Sequence, residues 1–319
     1  MNKFLKAILV GALTLSLAAC GSDKDTSAGQ DHDTTQSEVA ENASITITDA
    51  LGNVHQFDAP PASVATINPG DMDVLLALGA NVVGRPTMSD ELDPKIAAIA
   101  ELGNAHEPVF ESIAAANPEV LVVPPSFMQF ATNIEAQGTE IIYTNADSIE
   151  DVQASITMFG TLFQKKAEAS AINEEITTKI DDTKIDSEVN TLLVYGSPGT
   201  FLAALDNSLA GNILTTVGGK NIASDFVAMD KYPAYASLSV EKIIERNPQV
   251  IMLITHAEPD AVKAAFEKQM AESAGWKNLE AVKNNQIIIL PADLFGQDPG
   301  TKIIESIDFM KEALTTVIQ

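Results

Sequence analysis

Two histidines are the residues in this chain whose type and setting suit metal chemistry. Of the four histidines, His32 falls in a polar N-terminal stretch and His55 in an opening hairpin pattern. His106 and His256 remain, one in each half of the chain and each closely followed by a Glu-Pro pair. Neutral imidazoles ligate transition metals, and two that face each other suit the axial positions of a planar iron macrocycle. The alternative is that both are surface loop histidines without a shared partner.

The elements that must position these histidines form an alternating pattern of short apolar strands and helices, which predicts parallel sheets covered by helices. In such open sheets, ligands bind beyond the carboxyl ends of the strands. We therefore expect His106 and His256 to face one cleft from two lobes. The predicted strands are Val64–Ile67, Asn81–Val83, Val120–Val123, Glu140–Tyr143, Thr191–Tyr195, Val250–Ile254 and Gln286–Leu290.

The two halves of the chain repeat one pattern. Glu111 begins a short helical stretch that ends at Asn117-Pro118 before an apolar strand, and Glu241 begins a matching stretch that ends at Asn247-Pro248. Proline ends a helix for steric reasons, so the dipeptide alone is uninformative. The complete order of glutamate, short helix, Asn-Pro and apolar strand occurs once in each half, which predicts two similar lobes.

A long segment between the halves predicts the connection. From 148 to 180 the sequence lacks proline and has one glycine, and its apolar residues recur at helical spacing. The predicted fold class is α/β, with two Rossmann-like lobes joined by a single long rigid helix. The predicted boundaries are 44–146 for the first lobe, 147–182 for the connecting helix and 183–319 for the second lobe.

The N-terminus carries a targeting signal. Lys3 and Lys6 precede a short apolar run that ends in Leu-Ala-Ala-Cys20-Gly, and Cys20 is the only cysteine of the chain. The run is too short to span a bilayer, so residues 1–20 are predicted to be a lipoprotein signal peptide with lipidated Cys20. The polar residues 21–43 are predicted to be a flexible tether. We expect a protein anchored by lipid on the outer face of the cell membrane.

Composition narrows the possible functions. The 319 residues carry a formal net charge of −25, which disfavours nucleic-acid binding. The sequence has no Walker loop, no Gly-x-Ser-x-Gly and no His-Glu-x-x-His. It assembles no nucleophile, base and oxyanion site, so we do not expect an enzyme.

Further candidates surround the expected cleft. Tyr195 and Tyr235 could stack on a ring or simply pack in the core. Arg85 follows a predicted strand and could meet a carboxylate at the rim of the cleft. Glu111 and Glu241 could be symmetric anionic knobs that dock a two-fold partner with arginines, or parts of solvated helix faces.

The chain resembles the periplasmic binding proteins of ABC importers for iron complexes and cobalamin, and within them most resembles the heme-binding lipoproteins of iron-regulated surface determinant systems. Short stretches spread over both halves carry this resemblance: Gly84-Arg-Pro-Thr, Leu102-Gly through His106-Glu-Pro, Tyr195-Gly-Ser-Pro-Gly-Thr-Phe-Leu, Gly218-Gly-Lys-Asn, His256-Ala-Glu-Pro-Asp-Ala-Val-Lys, Trp276-Lys-Asn-Leu-Glu-Ala-Val-Lys-Asn-Asn and Leu294-Phe-Gly.

The resemblance implies roles for residues of this chain. In the heme-binding members, a Met from the first lobe and a His from the second hold the iron, and these positions correspond to His106 and His256. Replacement of Met by His implies bis-His ligation or a different ligand. Glu111 and Glu241 match the lobe-tip glutamates that engage arginines of the permease.

The resemblance also implies a ligand and partners. We expect a monomeric receptor that captures heme and delivers it to an ABC permease and its ATPase, with a surface heme donor as a further partner. The alternatives are a receptor for a ferric siderophore or, less in keeping with the sequence, a corrinoid; an enzyme that handles heme; and a structural surface adhesin.

Overall fold

The computed structural model of the protein describes residues 44–88, 92–197, 199–256 and 258–318. The predicted signal peptide, Cys20 and tether therefore lie outside the described residues. Within the described part of the chain, no helix combines the length and apolar character needed to pass through a bilayer. These residues belong to one contiguous unit in which two sheets define two lobes.

The first lobe, in chain order, consists of β1 (Ile45–Thr48), β2 (Val54–Phe57), β3 (Val64–Thr66), α1 (Pro69–Ala77), β4 (Val82–Arg85), α2 (Pro94–Ala97), β5 (Ala100–Glu101), α3 (Phe110–Ala116), β6 (Val120–Val123), a 3₁₀ helix (Pro125–Phe130), α4 (Ala131–Glu135) and β7 (Glu140–Tyr143). Strands β5-β4-β3-β6-β7 form a parallel sheet in this order. Every residue of β3 and β6 is buried, as parallel strands covered on both faces require. The predicted opening hairpin is present as the antiparallel pair β1 and β2.

The connection between the lobes differs from the prediction. Helix α5 (Ile149–Leu162) is followed by a tight turn and by α6 (Lys166–Asp181), and the two helices pack against each other. Asn173 of α6 donates hydrogen bonds to the Gln153 carbonyl (3.0 Å) and to Thr157 Oγ1 (2.9 Å) of α5. The single long rigid helix is thus replaced by an antiparallel helical hairpin, and this part of the prediction is wrong.

Local backbone geometry explains why the chain reverses direction between α5 and α6. Gln164, in the turn, adopts a positive φ of 55°, which interrupts the helical backbone. Gly160 allows the two helices to approach, because a Cβ at this position would lie 2.4 Å from the Cβ of Ala169. The apolar spacing from 148 to 180 therefore arises from two helices that each bury one face. The break between the two helices depends on a tertiary contact.

The second lobe consists of β8 (Asn190–Ser197), β9 (Thr200–Ala204), α7 (Leu209–Thr216), β10 (Lys220–Asn221), β11 (Tyr235–Ser237), α8 (Val240–Arg246), β12 (Val250–Ile254), α9 (Pro259–Met270), a 3₁₀ helix (Trp276–Asn278), α10 (Glu280–Lys283), β13 (Ile287–Ile289), α11 (Ala292–Phe295), a 3₁₀ helix (Gly300–Lys302) and α12 (Ile303–Ile318). The sheet order is β11-β9-β8-β12-β13, and β10 also pairs with β8. Strands β8, β12 and β13 are parallel, whereas β9 runs antiparallel to both of its neighbours.

The internal repeat is also a structural repeat. Helices α3 and α8 have the same length and lead into β6 and β12. Asn117 and Asn247 both end their helices with a φ of 44°, and each donates its backbone N–H to an isoleucine carbonyl at 3.0 Å. Asparagine tolerates this left-handed conformation at a helix end, and the following proline prevents continuation.

One hydrophobic core runs through both lobes. Side chains of the first sheet, of the helical hairpin and of the second lobe belong to a single cluster of buried residues. Its members include Val64, Leu75, Val120, Ile156, Phe159, Leu193, Ile213 and Met310. Continuous close packing of this kind opposes independent movement of the lobes.

Candidate functional site

His106 lies at the tip of a short loop after β5. The Oδ1 atom of Asn104 accepts hydrogen bonds from the backbone N–H groups of His106 (2.9 Å) and Glu107 (3.0 Å), and Gly103 pairs with Pro108 at the base of the loop. Gly103 has a φ of 87°, and a Cβ there would lie 2.2 Å from the Glu107 carbonyl oxygen. A glycine is therefore required for the loop that presents the exposed imidazole.

His256 lies two residues beyond the end of β12, at the carboxyl edge of the second sheet. Its Nδ1 atom faces the backbone at Gly296, where a Cβ would approach this nitrogen to 3.2 Å. Glu258 has a positive φ of 48° directly before Pro259, a strained backbone conformation next to His256.

The two imidazoles lie close enough to affect each other electrostatically. Partial burial, and to a smaller extent the positive charge that His106 would carry, lower the pKa of His256. Both effects favour the neutral form of His256, which is the form that binds a metal. The structure therefore brings one histidine from each lobe into a common electrostatic environment.

Tyr195 lies beside His256, and Tyr235 lies beside Tyr195. The ring of Tyr195 is 5.4 Å from the His256 ring in an edge-to-face arrangement and 5.4 Å from the Tyr235 ring. Burial, and to a smaller extent the electrostatic effects of Tyr195 and Asp147, raise the pKa of Tyr235 to about 12. Burial, and next the electrostatic effect of Tyr232, raise the pKa of Tyr195. Both phenols are therefore neutral at physiological pH, and they form an aromatic wall that meets His256 through Tyr195.

Arg85, which was expected to meet a carboxylate at the rim of the cleft, is paired with a carboxylate of its own chain. It is 7% exposed, and its Nη1 atom lies 3.1 Å from Glu101 Oε2 and donates to the Pro86 carbonyl (2.9 Å). Arg85 and Glu101 are opposite each other in the register of β4 and β5. The Nε atom is buried without a hydrogen-bond partner, but the positive charge is already paired.

Glu111 and Glu241 occupy equivalent places in the two lobes. Each lies in the first turn of its helix, α3 or α8, and each is exposed. Their carboxylates are thus presented by matching elements on separate lobes.

The described residues offer no ready site for a bare metal ion. Among the described residues, no group of three or more His, Cys, Asp or Glu side chains is arranged to hold one. Two imidazoles suit an iron complex that brings its own equatorial ligands, because such a complex needs only axial ligands from the protein.

Comparison with protein families identifies the architecture. The family model described as periplasmic binding protein matches residues 64–294, from the first strand of the first sheet to the helix after the last strand of the second. The chain belongs to the periplasmic binding protein family.

Relatives of this periplasmic binding protein include named heme proteins. The high-affinity heme uptake system protein IsdE of Staphylococcus aureus strain Newman is 29% identical over 224 residues, which cover 67% of this chain and 74% of IsdE. The crystal structure of S. aureus IsdE complexed with heme is 24% identical, with a TM-score of 0.69 over 79% of this chain and 98% of that one. The petrobactin-binding protein YclQ from Bacillus subtilis is 22% identical, with a TM-score of 0.67 over 87% of this chain and 99% of that one.

Sequence reasoning missed two neighbours of the site in this periplasmic binding protein. Asp147 affects the pKa of Tyr235, and it follows the carboxyl end of β7, where the general rule for ligand sites could have pointed to it. Gly296 contacts His256 through a fold that brings α11 next to β12, and no local pattern signals this contact.

Proposed function

We propose that this protein is a lipid-anchored extracytoplasmic receptor that captures heme between its two lobes and delivers it to an ABC permease. The observation that supports this most is that His106, from the other lobe, contributes after burial to the lowered pKa of His256. His106 and His256 are the proposed axial ligands of the heme iron. The protein acts as a binding protein, and the porphyrin is not altered.

The surroundings of the histidines support a flat aromatic ligand. Tyr195 contacts His256 and Tyr235 contacts Tyr195, both with neutral rings, and aromatic side chains pack well on a macrocycle. Two neutral nitrogen ligands in place of a Met and a His would give a lower iron reduction potential than in the Met/His members of the family.

Delivery involves the two lobe glutamates. Glu111 and Glu241 are the proposed contacts for arginines of the permease, whose ATPase drives import, and a surface heme protein is the proposed donor. The proposed anchor is a lipid on Cys20, and the receptor works as a monomer.

Hemin titration of the soluble form, residues 21–319, tests the proposal. We expect saturable one-to-one binding and a low-spin, six-coordinate visible spectrum in both the oxidised and the reduced states. His106→Ala and His256→Ala should each abolish the six-coordinate spectrum, whereas the control Glu107→Gln, on the same loop as His106, should retain it. Intact porphyrin after incubation distinguishes a receptor from a heme-degrading enzyme.

Two outcomes would contradict the proposal. Absence of saturable hemin binding together with binding of a ferric siderophore would favour a siderophore receptor, with both histidines as loop residues. Full retention of the spectrum in both histidine variants would show that other residues hold the iron.

A further inference from the structure

The first lobe has a cavity of about 640 Å³ beside the β1–β2 hairpin, which we call the hairpin cavity. Its walls come from the hairpin, from the helical segment 125–135 and from β7, the edge strand of the first sheet. Leu51, Val54 and Met128 line it and are 41%, 63% and 57% exposed. They are three of the eight large hydrophobic side chains that are exposed in the described part of the chain. Single exposed apolar residues are common, but several on one concave surface indicate a binding site.

The turn that carries Leu51 is fixed by Asp49. The Oδ1 atom of Asp49 accepts hydrogen bonds from the backbone N–H groups of Leu51 (2.9 Å) and Asn53 (2.8 Å). Its Oδ2 atom accepts hydrogen bonds from the Asn53 side chain (3.0 Å) and from the Tyr143 N–H group (3.3 Å). Apolar side chains on a backbone that is already ordered lose less conformational entropy when a ligand covers them.

The remaining walls of the hairpin cavity are also held in place. The buried His55 joins the hairpin to β7, because its Nδ1 atom lies 2.6 Å from Glu140 Oε1 and its Nε2 atom lies 3.2 Å from Asp49 Oδ2. Met128 directly follows Phe127, whose side chain is fully buried in the core of the lobe. The cavity therefore has a stable frame, while the flexible Met128 side chain can adapt to the shape of a ligand.

The polar part of the hairpin cavity is acidic. Glu135 and Glu140 line it and are exposed, and none of the described residues that line it is a lysine or an arginine. Burial, and next the charges of Glu135 and Asp49, raise the pKa of Tyr143, which also lines the cavity. Even with a proton on both ring nitrogens of His55, these three carboxylates leave a net negative charge. The cavity therefore favours a ligand that has a cationic group beside an apolar one.

Charge also decides which molecule fits the hairpin cavity. The segment 21–43, which precedes β1, contains six acidic residues and one lysine, so the acidic cavity disfavours it. A second copy of this chain carries the same formal net charge of −25, and repulsion opposes its approach in the same way. The occupant is therefore a different molecule, in which basic and apolar groups lie together.

We propose that the hairpin cavity binds a segment of a partner protein in which an apolar side chain stands next to a lysine or an arginine. The apolar side chain packs against Leu51, Val54 and Met128, and its basic neighbour pairs with Glu135 or Glu140. In transient interfaces, a small apolar centre supplies affinity, and the surrounding charges supply specificity and association rate. The proposed axial histidines are not among the residues that line this cavity, so the inference does not depend on the heme assignment.

Peptides of defined composition test this inference. The soluble protein, residues 21–319, is labelled with stable isotopes and titrated with a capped hexapeptide of alternating leucine and arginine. NMR spectroscopy gives the dissociation constant and the backbone amides that respond. We expect saturable one-to-one binding that shifts the amide signals of Leu51, Val54 and Met128. A peptide with glutamate in place of arginine, or with serine in place of leucine, should not reach saturation.

Matched variants separate the apolar and the acidic contributions. Val54→Ser should weaken binding of the leucine–arginine peptide roughly tenfold, whereas Val227→Ser should leave it unchanged. Val227 is the control because it is 86% exposed and lies in the second lobe. Glu135→Gln should weaken binding roughly threefold, and Glu245→Gln, an exposed position on α8, should have no effect. All four variants alter exposed side chains, so we expect each to fold as the wild type does.

Three results would overturn the inference. The first is absence of saturable binding of the leucine–arginine peptide to the wild type. The second is equal affinity of the wild type and Val54→Ser, since binding would then be general attraction between a basic peptide and an acidic protein. The third is sedimentation of the soluble protein with phosphatidylcholine vesicles that is lost in Val54→Ser, because the apolar surface would then contact a membrane instead of a protein.

Discussion

Asp71 and Asp298 form a buried carboxyl pair where the two lobes meet. Asp71 of α1 is 1% exposed and Asp298, before the Gly300–Lys302 turn, is 9% exposed. Asp71 Oδ2 accepts a hydrogen bond from Thr144 (2.7 Å), while its Oδ1 atom has no hydrogen-bond partner. Burial and, next, the charge of Asp298 raise the pKa of Asp71 well above its usual range, and burial raises that of Asp298 to about 6. At least one of the two carboxyls is therefore protonated at mildly acidic pH.

This pair predicts how stability depends on pH. Between the usual pKa of 3.8 and about 6, the folded protein holds a proton on Asp298 that the unfolded chain releases, so the free energy of unfolding falls as pH rises through this window. The loss is on the order of 3 kcal/mol. Asp298→Asn should remove this part of the fall, as measured by urea unfolding at pH 4.5, 5.5 and 7. The exposed Asp293→Asn is the control, and an unchanged slope in Asp298→Asn would refute the assignment.

The glycines beside this pair predict a second effect on stability. Gly300 has a φ of 58°, and a Cβ there would lie 2.5 Å from the Gly70 carbonyl oxygen across the contact between the lobes. Gly79 has a similar φ of 74° but open space around it. We expect Gly79→Ala to cost about 1 kcal/mol, from backbone conformation alone, and Gly300→Ala to cost roughly 1–3 kcal/mol more. Equal losses in chemical denaturation would show that the lobe contact adjusts freely.

The lobe glutamates predict a separation between binding and transport. Glu111→Ala combined with Glu241→Ala should leave the hemin affinity of the protein unchanged, because the proposed ligands are His106 and His256, but should lower heme uptake by cells. Glu245→Ala, an exposed residue further along α8, is the control. Normal uptake by the double variant would contradict the docking role.

The aromatic wall predicts a graded effect on heme retention. Tyr195→Phe keeps the ring that contacts His256, so its hemin dissociation rate should equal that of the wild type. Tyr195→Ala removes the ring and should accelerate dissociation roughly tenfold. Transfer of bound heme to excess apomyoglobin measures both rates. Equal rates in the alanine variant and the wild type would mean that the ring does not touch the ligand.

The parts of this fold that sequence predicted are those with local causes. Buried parallel strands such as β6 and β12 are continuous apolar runs, and the helix ends at Asn117 and Asn247 follow from the Asn-Pro steric restriction. The family resemblance is confirmed by the family model that matches both lobes.

The parts that sequence did not predict depend on contacts between distant segments. The turn at Gln164 relies on the approach of α6 to α5 at Gly160. The pairing of Arg85 with Glu101 depends on β5, a strand too short to leave a periodic pattern. The Asp71–Asp298 pair joins residues from opposite ends of the folded part of the chain, and nothing near either residue indicates the other.

The uninterrupted core fixes the distance between the two lobes of the receptor. Because side chains pack continuously from the first sheet through the helical hairpin to the second, the spacing between Glu111 and Glu241 should be nearly the same with and without a bound ligand. An empty receptor would then occupy the importer as readily as a loaded one. Import would depend on the ratio of loaded to empty receptors at the membrane, so an excess of empty receptor should act as a competitive inhibitor of transport.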